Sequence, residues 1–403
     1  MQHILRKLTV ILAWAVGFIL CGVVVLVVVL WFWHNQNVTL PAPTGKYAVG
    51  RLRYDWRAEN RPEPLCVTPD GKRELAVWVW YPVAVDHTLQ EFAPYLPTSW
   101  QIARQQGVLS AILTQDLATV QGHAITNAPL ASEQPTYPLL LFQPGLGPLA
   151  TDYTAILEDL ASHGYIVVAS TPTCSASVVV FDDGHIVEGT AQGNVPDDAT
   201  LEEAKQKLGM LVQIWADDQQ FVYKQLEILN HADPLRILTG RLDLQRIGVF
   251  GHSFGGAAAL QFCSQDQHCK AGANLDGYPY GAIDQMIITQ PFLFLWSDPS
   301  EPTDEGWQYA VNATHTIVNH AKADKTQFTI QGMQHFNFSD MSLYYSPVLK
   351  LTGGLGTIEG KRGIAITRAY LRTFFDHYSQ GIDTPLLQEN SAEYPEVRTW
   401  QAN

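Results

Sequence analysis

One stretch limits the fold of this chain more than any other. The apolar run Ile247-Gly248-Val249-Phe250 enters Gly251-His252-Ser253-Phe254-Gly255-Gly256 and leaves through Ala257-Ala258-Ala259. An apolar run, a turn crowded with glycine and a small-residue run read as strand, sharp reversal and helix. The chain can reverse so tightly only where flanking positions lack a Cβ that would strike the neighbouring strand or helix, and the residue at the apex takes a strained backbone conformation. A Gly-x-Ser-x-Gly turn in that context lifts its serine clear of the sheet, so Ser253 is expected to face solute with its oxygen presented for attack.

Further strand-like runs lie at 75–83, 137–143, 165–170, 246–250, 271–275, 291–296 and 327–330, with helical patterns at 152–163 and 201–229. A last helix is expected over 364–378, where Ile366, Tyr370, Phe374 and Tyr378 recur every fourth residue. Alternating strands and helices predict an α/β fold with a mostly parallel central sheet covered by helices on both faces. In such sheets ligands bind beyond the carboxyl ends of the strands, and Ser253 follows one such end. The segment 93–131 is longer than an ordinary connection and has a helix-like middle at 100–120. Its Trp100, Leu109, Ile112 and Leu113 read first as residues packed on the core, with a cap over the site or a lipid-facing surface as alternatives.

The net charge of −14, with no basic cluster longer than Lys72-Arg73 or Lys361-Arg362, excludes a nucleic-acid partner. The N-terminus carries a stronger signal. No residue from 8 to 33 is charged, and at roughly 1.5 Å per helical residue this run exceeds a hydrocarbon layer of about 30 Å. The run continues through Leu30 without a small-residue cleavage site, so an uncleaved signal anchor is expected rather than a signal peptide. Arg6 and Lys7 precede it and the next basic residue is Lys46, which orients the N-terminus to the cytoplasm, although Arg51 and Arg53 weaken that bias. The expected plan is a cytoplasmic stub and transmembrane helix at 1–40, a linker at 41–46 marked by Pro41, Pro43 and Gly45, and a catalytic domain at 47–403. Cys263 and Cys269 flank a short polar loop suited to a disulfide, whereas Cys66 and Cys174 read equally as a second pair or as two buried thiols. No Cys or His spacing suits zinc, so neither metal nor organic cofactor is expected.

A serine hydroxyl needs a base to take its proton and an acid to fix that base's tautomer. With this turn the chain order is serine, acid, histidine. Of His268, His315, His320, His335 and His377, only His335 follows a strand-like run, 327–330, and enters an irregular loop through Gly332. His335 is the expected base. Two aspartates end strands, Asp276 after Ala273-Asn274-Leu275 and Asp298 after Phe294-Leu295-Trp296-Ser297, and both are candidate acids; the usual placement of the acid after the later of the two strands favours Asp298. The Phe254 amide is one expected oxyanion donor, and a second should come from the loop after 139–142. His252 is expected to pack beneath the turn rather than to touch substrate.

The turn at Ser253, together with Pro144-Gly145-Leu146-Gly147, Leu160-Ala161-Ser162-His163-Gly164-Tyr165-Ile166-Val167, Asn274-Leu275-Asp276-Gly277 and Gly332-Met333-Gln334-His335-Phe336-Asn337-Phe338-Ser339-Asp340, resembles the plasma-type platelet-activating-factor acetylhydrolases and their bacterial relatives. The resemblance covers about residues 75–380. It implies an α/β-hydrolase fold, with Ser253 as nucleophile, His335 as base, Asp276 as acid, Asp298 as runner-up and Leu146 as the second amide donor. Where the animal enzymes carry His-Gly this chain has Pro144-Gly145, a departure that spares the backbone donors and reshapes the pocket. It further implies hydrolysis, through an acyl-enzyme, of a phospholipid or similar ester with a short or oxidised acyl group. Polyester-cleaving cutinases share the Gly-His-Ser-x-Gly-Gly turn, so a lipase- or cutinase-like esterase on other esters is an alternative, as are an acyltransferase and a non-catalytic binding module. Of the sequons at Asn37, Asn312 and Asn337, the last lies two residues from His335, where a glycan would obstruct the site. That position favours a bacterial inner-membrane protein with its catalytic domain on the periplasmic side.

Overall fold

Strands buried on both faces must be apolar throughout, and the run Tyr137–Gln143, buried at every position, forms the middle of the sheet. The computed structural model describes residues 2–84, 91–104, 115–196, 198–298, 305–344, 353–383, 385–388 and 391–400. Its strands are β1 Val38–Thr39, β2 Ala48–Pro62, β3 Lys72–Val83, β4 Val120–Gln121, β5 Ile125–Thr126, β6 Tyr137–Gln143, β7 Ile166–Thr171, β8 Val178–Val180, β9 Ile186–Glu188, β10 Leu242–His252, β11 Cys269–Leu275, β12 Phe292–Ser297, β13 Lys325–Ile330 and β14 Val397–Thr399. The helices are α1 Gln2–His34, α2 Thr98–Arg104, α3 Thr154–Ser162, α4 Leu201–His231, α5 Phe254–Gln265, α6 Glu305–His320, α7 Met341–Tyr344 and α8 Gly360–Phe375. Ten strands make one sheet in the order β14-β13-β12-β11-β10-β6-β7-β3-β2-β5. The run from β13 to β7 is parallel, and β3 and β14 join its two sides antiparallel.

The two-residue period of a strand sorts the core into two layers. Leu140 and Phe142 of β6 join Ile156, Leu160, Tyr370 and Phe374 under α3 and α8. Leu139 and Leu141 join Val222, Leu226, Leu260 and Phe262 under α4 and α5. The expected mostly parallel sheet with helices on both faces is therefore present, and it belongs to the α/β-hydrolase class.

Several strands lie outside the expected apolar runs, β2 and β14 of the main sheet among them. In β2 the alternation Leu52, Tyr54, Trp56, Ala58 is interleaved with charged residues that find partners in the fold: Arg51 lies over the Trp78 ring at 4.9 Å, and Arg57 bonds Glu74 at 2.8 Å. The tail past Gly381 reads as polar and uninformative, yet Val397 is buried and pairs with Ile330, and Arg362 grips Glu396 at 2.8 and 2.9 Å.

Helix α1 is long and apolar enough to cross a membrane, with mean hydropathy 3.0 in its most apolar 18-residue window within Arg6–His34. The segment after it is docked: Thr44 and Gly45 amides donate to Asp159 and Ser162 on α3, and Arg368 of α8 donates to the carbonyls of Pro41 and Ala42. The segment 93–131 returns to the foot of α1, where Gln115 donates to the Gln36 carbonyl at 2.6 Å. Its first limb packs on the core, with Trp100 fully buried and edge-on to Trp78 at 5.9 Å. Leu109, Ile112 and Leu113 lie outside the described residues.

Cys66–Cys174 and Cys263–Cys269 are both disulfides. The first closes a sequence separation of 108 residues and the second one of 6. A crosslink restricts the unfolded chain more as the loop lengthens, so Cys66→Ala with Cys174→Ala is expected to cost about 2–5 kcal/mol. Denaturant unfolding of each double variant checks this; an equal or larger loss at Cys263 and Cys269 would contradict it.

Candidate active site

The sharp turn between β10 and α5 has the backbone that its glycines require. Ser253 sits at φ 56°, ψ −126°, directly before the first residue of α5. A Cβ on Gly251 would lie 2.2 Å from the Gly255 carbonyl carbon, and one on Gly255 would lie 2.1 Å from the Gln143 oxygen, so neither position admits a side chain. The Ser253 amide donates to the Leu275 carbonyl at 2.8 Å, which ties the turn to the end of β11. A left-handed φ on a non-glycine residue costs about 1–3 kcal/mol and persists because the surrounding bonds over-determine it.

Asp276 leaves β11 with a second left-handed φ of 55°. The Asn274 side chain holds this corner by accepting from the Gly277 amide and donating to the Gly277 carbonyl, both at 2.8 Å. His335 begins the 3-10 turn His335–Phe338 that follows β13. Its Nδ1 lies 2.7 Å from Asp276 Oδ2 and its Nε2 lies 2.9 Å from Ser253 Oγ. A carboxylate only accepts, so Nδ1 carries the hydrogen and Nε2 presents its lone pair to the hydroxyl. Burial alone would push the Asp276 carboxyl up, but the His335 hydrogen bond and charge, with the Ser297 amide 2.8 Å from Oδ1, outweigh it and hold the carboxyl below its ordinary value. The Asp276 side chain is 5% exposed and that of His335 42% exposed, so the carboxylate is sealed while the imidazole meets solute.

Beyond β6 the loop Pro144-Gly145-Leu146-Gly147 passes over the serine. A Cβ on Gly145 would come within 3.0 Å of the Ser253 Cβ. Gly147 turns the loop at φ +91° and is clasped to the next segment, donating to the Ser175 carbonyl at 3.1 Å and accepting from the Ser177 amide at 2.6 Å. The Leu146 amide donates to no acceptor among the described residues, and the Phe254 amide opens α5, where helical donors lack internal partners.

Comparison with known proteins adds an independent observation. The family model described as platelet-activating factor acetylhydrolase, isoform II, matches residues 32–188 and 198–391. The chain belongs to this family. It is 29% identical over 349 residues to the platelet-activating factor acetylhydrolase of Bos taurus, covering 80% of this chain and 72% of that one. It is 25% identical over 400 residues to a probable 1-alkyl-2-acetylglycerophosphocholine esterase of Arthroderma benhamiae, covering 90% and 94% of the two chains. A solved ferulic acid esterase from Streptomyces cinnamoneus superposes with a TM-score of 0.74 at 28% identity over 91% of this chain and 100% of that one. This member of the acetylhydrolase family is thus a serine-type carboxylic ester hydrolase.

The remaining sequence candidates fall outside the Ser253–His335–Asp276 group. Asp298 does not reach the imidazole; its Oδ2 accepts the Gly332 amide at 3.0 Å and its carbonyl accepts the Gln334 side chain at 2.7 Å, so it braces the loop on which His335 stands. His268 and His377 pair with Asp266 and Asp383. Asn337 is buried, its Oδ1 accepting the amides of Gln334 and Gly356, which removes it as an exposed glycan acceptor. His252 lies beneath the turn, 1% exposed, hydrogen-bonded to Tyr153. Sequence reasoning passed over Tyr153 because a tyrosine at a helix start reads as core, and gave Asn274 no role although it stands two residues before Asp276.

Proposed function

We propose that this enzyme cleaves carboxylic esters through an acyl-enzyme on Ser253, with His335 as general base and acid and Asp276 as its partner. The observation that carries this reading is the continuous chain of two hydrogen bonds, 2.7 and 2.9 Å long, from the buried Asp276 carboxylate through His335 to the strained Ser253 hydroxyl. As Oγ attacks the acyl carbon, its proton passes to Nε2, and the ionised Asp276 stabilises the imidazolium that forms. Negative charge then gathers on the former carbonyl oxygen, where the Leu146 and Phe254 amides are the donors in reach; prearranged donors need no reorganisation as that charge develops. Nε2 returns the proton to the departing alcohol. Water repeats the sequence in reverse on the acyl-enzyme and releases the acid.

The substrate read from the family is a phospholipid or related ester with a short or oxidised acyl chain. Residues 1–40 act as a membrane anchor, 41–46 as the docked connection and 47–403 as the catalytic unit, with 93–131 as an insertion that caps it; the two disulfides favour placement on the oxidising, periplasmic side of a bacterial inner membrane. Likeness to the ferulic acid esterase favours a second reading, an aromatic acyl group. Phosphocholine lipids of increasing sn-2 length, offered in solution and in vesicles, and a feruloyl ester distinguish these. kcat/KM is expected to be highest for the acetyl lipid and to fall at least about tenfold once the acyl pocket is overfilled. Preference for long chains would indicate a lipase, and preference for the feruloyl ester would indicate the second reading.

A further inference from the structure

Three hydrogen bonds join the loop over Ser253 to the base from beneath. The Gly145 amide lies 3.3 Å from Tyr153 Oη, Tyr153 Oη lies 2.8 Å from His252 Nδ1, and His252 Nε2 lies 2.9 Å from the His335 carbonyl oxygen. The direction of each is dictated. A carbonyl only accepts, so Nε2 of His252 carries the hydrogen; Nδ1 of the neutral ring then accepts, and the Tyr153 hydroxyl donates to it while accepting from Gly145. Burial first, and the neighbouring charge of His335 second, push His252 down to about 3, so the ring stays neutral. Its centroid is 4.6 Å from that of His335.

We propose that Tyr153 and His252 are positioning residues for ester hydrolysis, holding the loop of the Leu146 amide and the backbone of His335 at a fixed spacing across Ser253. The proposal rests on the roles assigned above to Ser253, His335 and Leu146. Both ends of the chain adjoin reacting groups: Gly145 precedes Leu146 and packs against Ser253, and the carbonyl is that of the base itself. The middle cannot shift, because the Tyr153 ring is fully buried, 4.9 Å from Phe142 and 5.5 Å from His252. The turn Ala150–Tyr153 is pinned by Arg104, which bonds both oxygens of Asp152 at 2.7 and 3.0 Å. Apolar side chains of the same size would fill this volume without the desolvation cost of a phenol and an imidazole, but they would leave the Gly145 amide and the His335 carbonyl without these partners.

Tyr153→Phe removes the donor to Nδ1, so the ring proton of His252 can move to that nitrogen and the His335 carbonyl loses its partner. Misplacement of reacting groups by about 1 Å can cost about 100-fold. Steady-state hydrolysis of p-nitrophenyl acetate is measured for Tyr153→Phe, His252→Leu and the double variant, with thermal unfolding as the fold check. Each single variant is expected to lose about 10- to 100-fold in kcat with KM within about threefold of the parent. The double variant is expected to lose no more than the worse single one, and His252→Gln, which keeps an N–H for the His335 carbonyl, to recover part of the loss. Additive losses, or a Tyr153→Phe variant with parental kcat, would overturn the proposal. Ring 15N chemical shifts of His252 in the unmodified protein are expected to report hydrogen on Nε2; hydrogen on Nδ1 would overturn it without any variant. Ser253→Ala separates the two levels: surviving turnover there removes the underlying assignment, whereas lost turnover there with Tyr153→Phe unimpaired removes the positioning role alone.

Discussion

Ser253→Ala is expected to lower kcat on a soluble ester by about 10⁵- to 10⁶-fold while leaving KM and the fold close to the parent's. The substitution deletes the attacking atom and nothing else of structural weight. Oγ makes its one hydrogen bond among the described residues with His335, and alanine keeps the Cβ already accommodated at φ 56°. Residual turnover above the uncatalysed rate should come from the Leu146 and Phe254 amides, as it does where donors outlast the nucleophile. Retention of a tenth of the parental kcat would mean that another group attacks the ester.

Asp276→Asn is the second large effect, about 10⁴-fold in kcat. The Ser297 amide donates to Oδ1 at 2.8 Å, so an asparagine would keep its oxygen there and turn its NH₂ toward His335. Nδ1 must then accept, the ring hydrogen moves to Nε2, and the lone pair that takes the serine proton is gone. Asp298→Asn, by contrast, keeps an acceptor for the Gly332 amide and is expected to lose less than about tenfold. The reverse ranking would exchange the two acids. Stability carries the same signature. A carboxyl held below its unfolded value, about 3.9, contributes fully above that value, and the contribution is lost as pH falls through the lower folded value. The stability difference between the parent and Asp276→Asn should therefore be constant near neutrality and shrink on acidification.

What could be read before folding follows from how locally each feature is encoded. The turn at Ser253 carries its own stereochemistry, since Gly251 and Gly255 stand where any Cβ would overlap backbone. The parallel strands were visible because burial on both faces leaves unbroken apolar runs, as in β6 and β12. β2 was hidden because its charged residues find partners on the neighbouring strand β3, the Trp78 ring under Arg51 and the Glu74 carboxylate beside Arg57. β14 was hidden because three residues of a polar tail gain strand character only from the edge of β13. The acid illustrates the same limit. Asp276 and Asp298 both end strands, and which of them meets the imidazole depends on the path of the loop after β13, a tertiary fact; family resemblance, not spacing, selected Asp276. The link from Gly145 through Tyr153 and His252 to His335 joins segments up to 190 positions apart and has no local signature.

The central claim is that His335 and Asp276 make Ser253 the nucleophile. Its most direct measurement is a fluorophosphonate reaction followed by peptide mass spectrometry on the intact enzyme. One adduct is expected, on the peptide containing Ser253, forming at least about 100-fold more slowly in His335→Ala. An adduct on another residue, no adduct at all, or labelling that proceeds undiminished without the imidazole would contradict it.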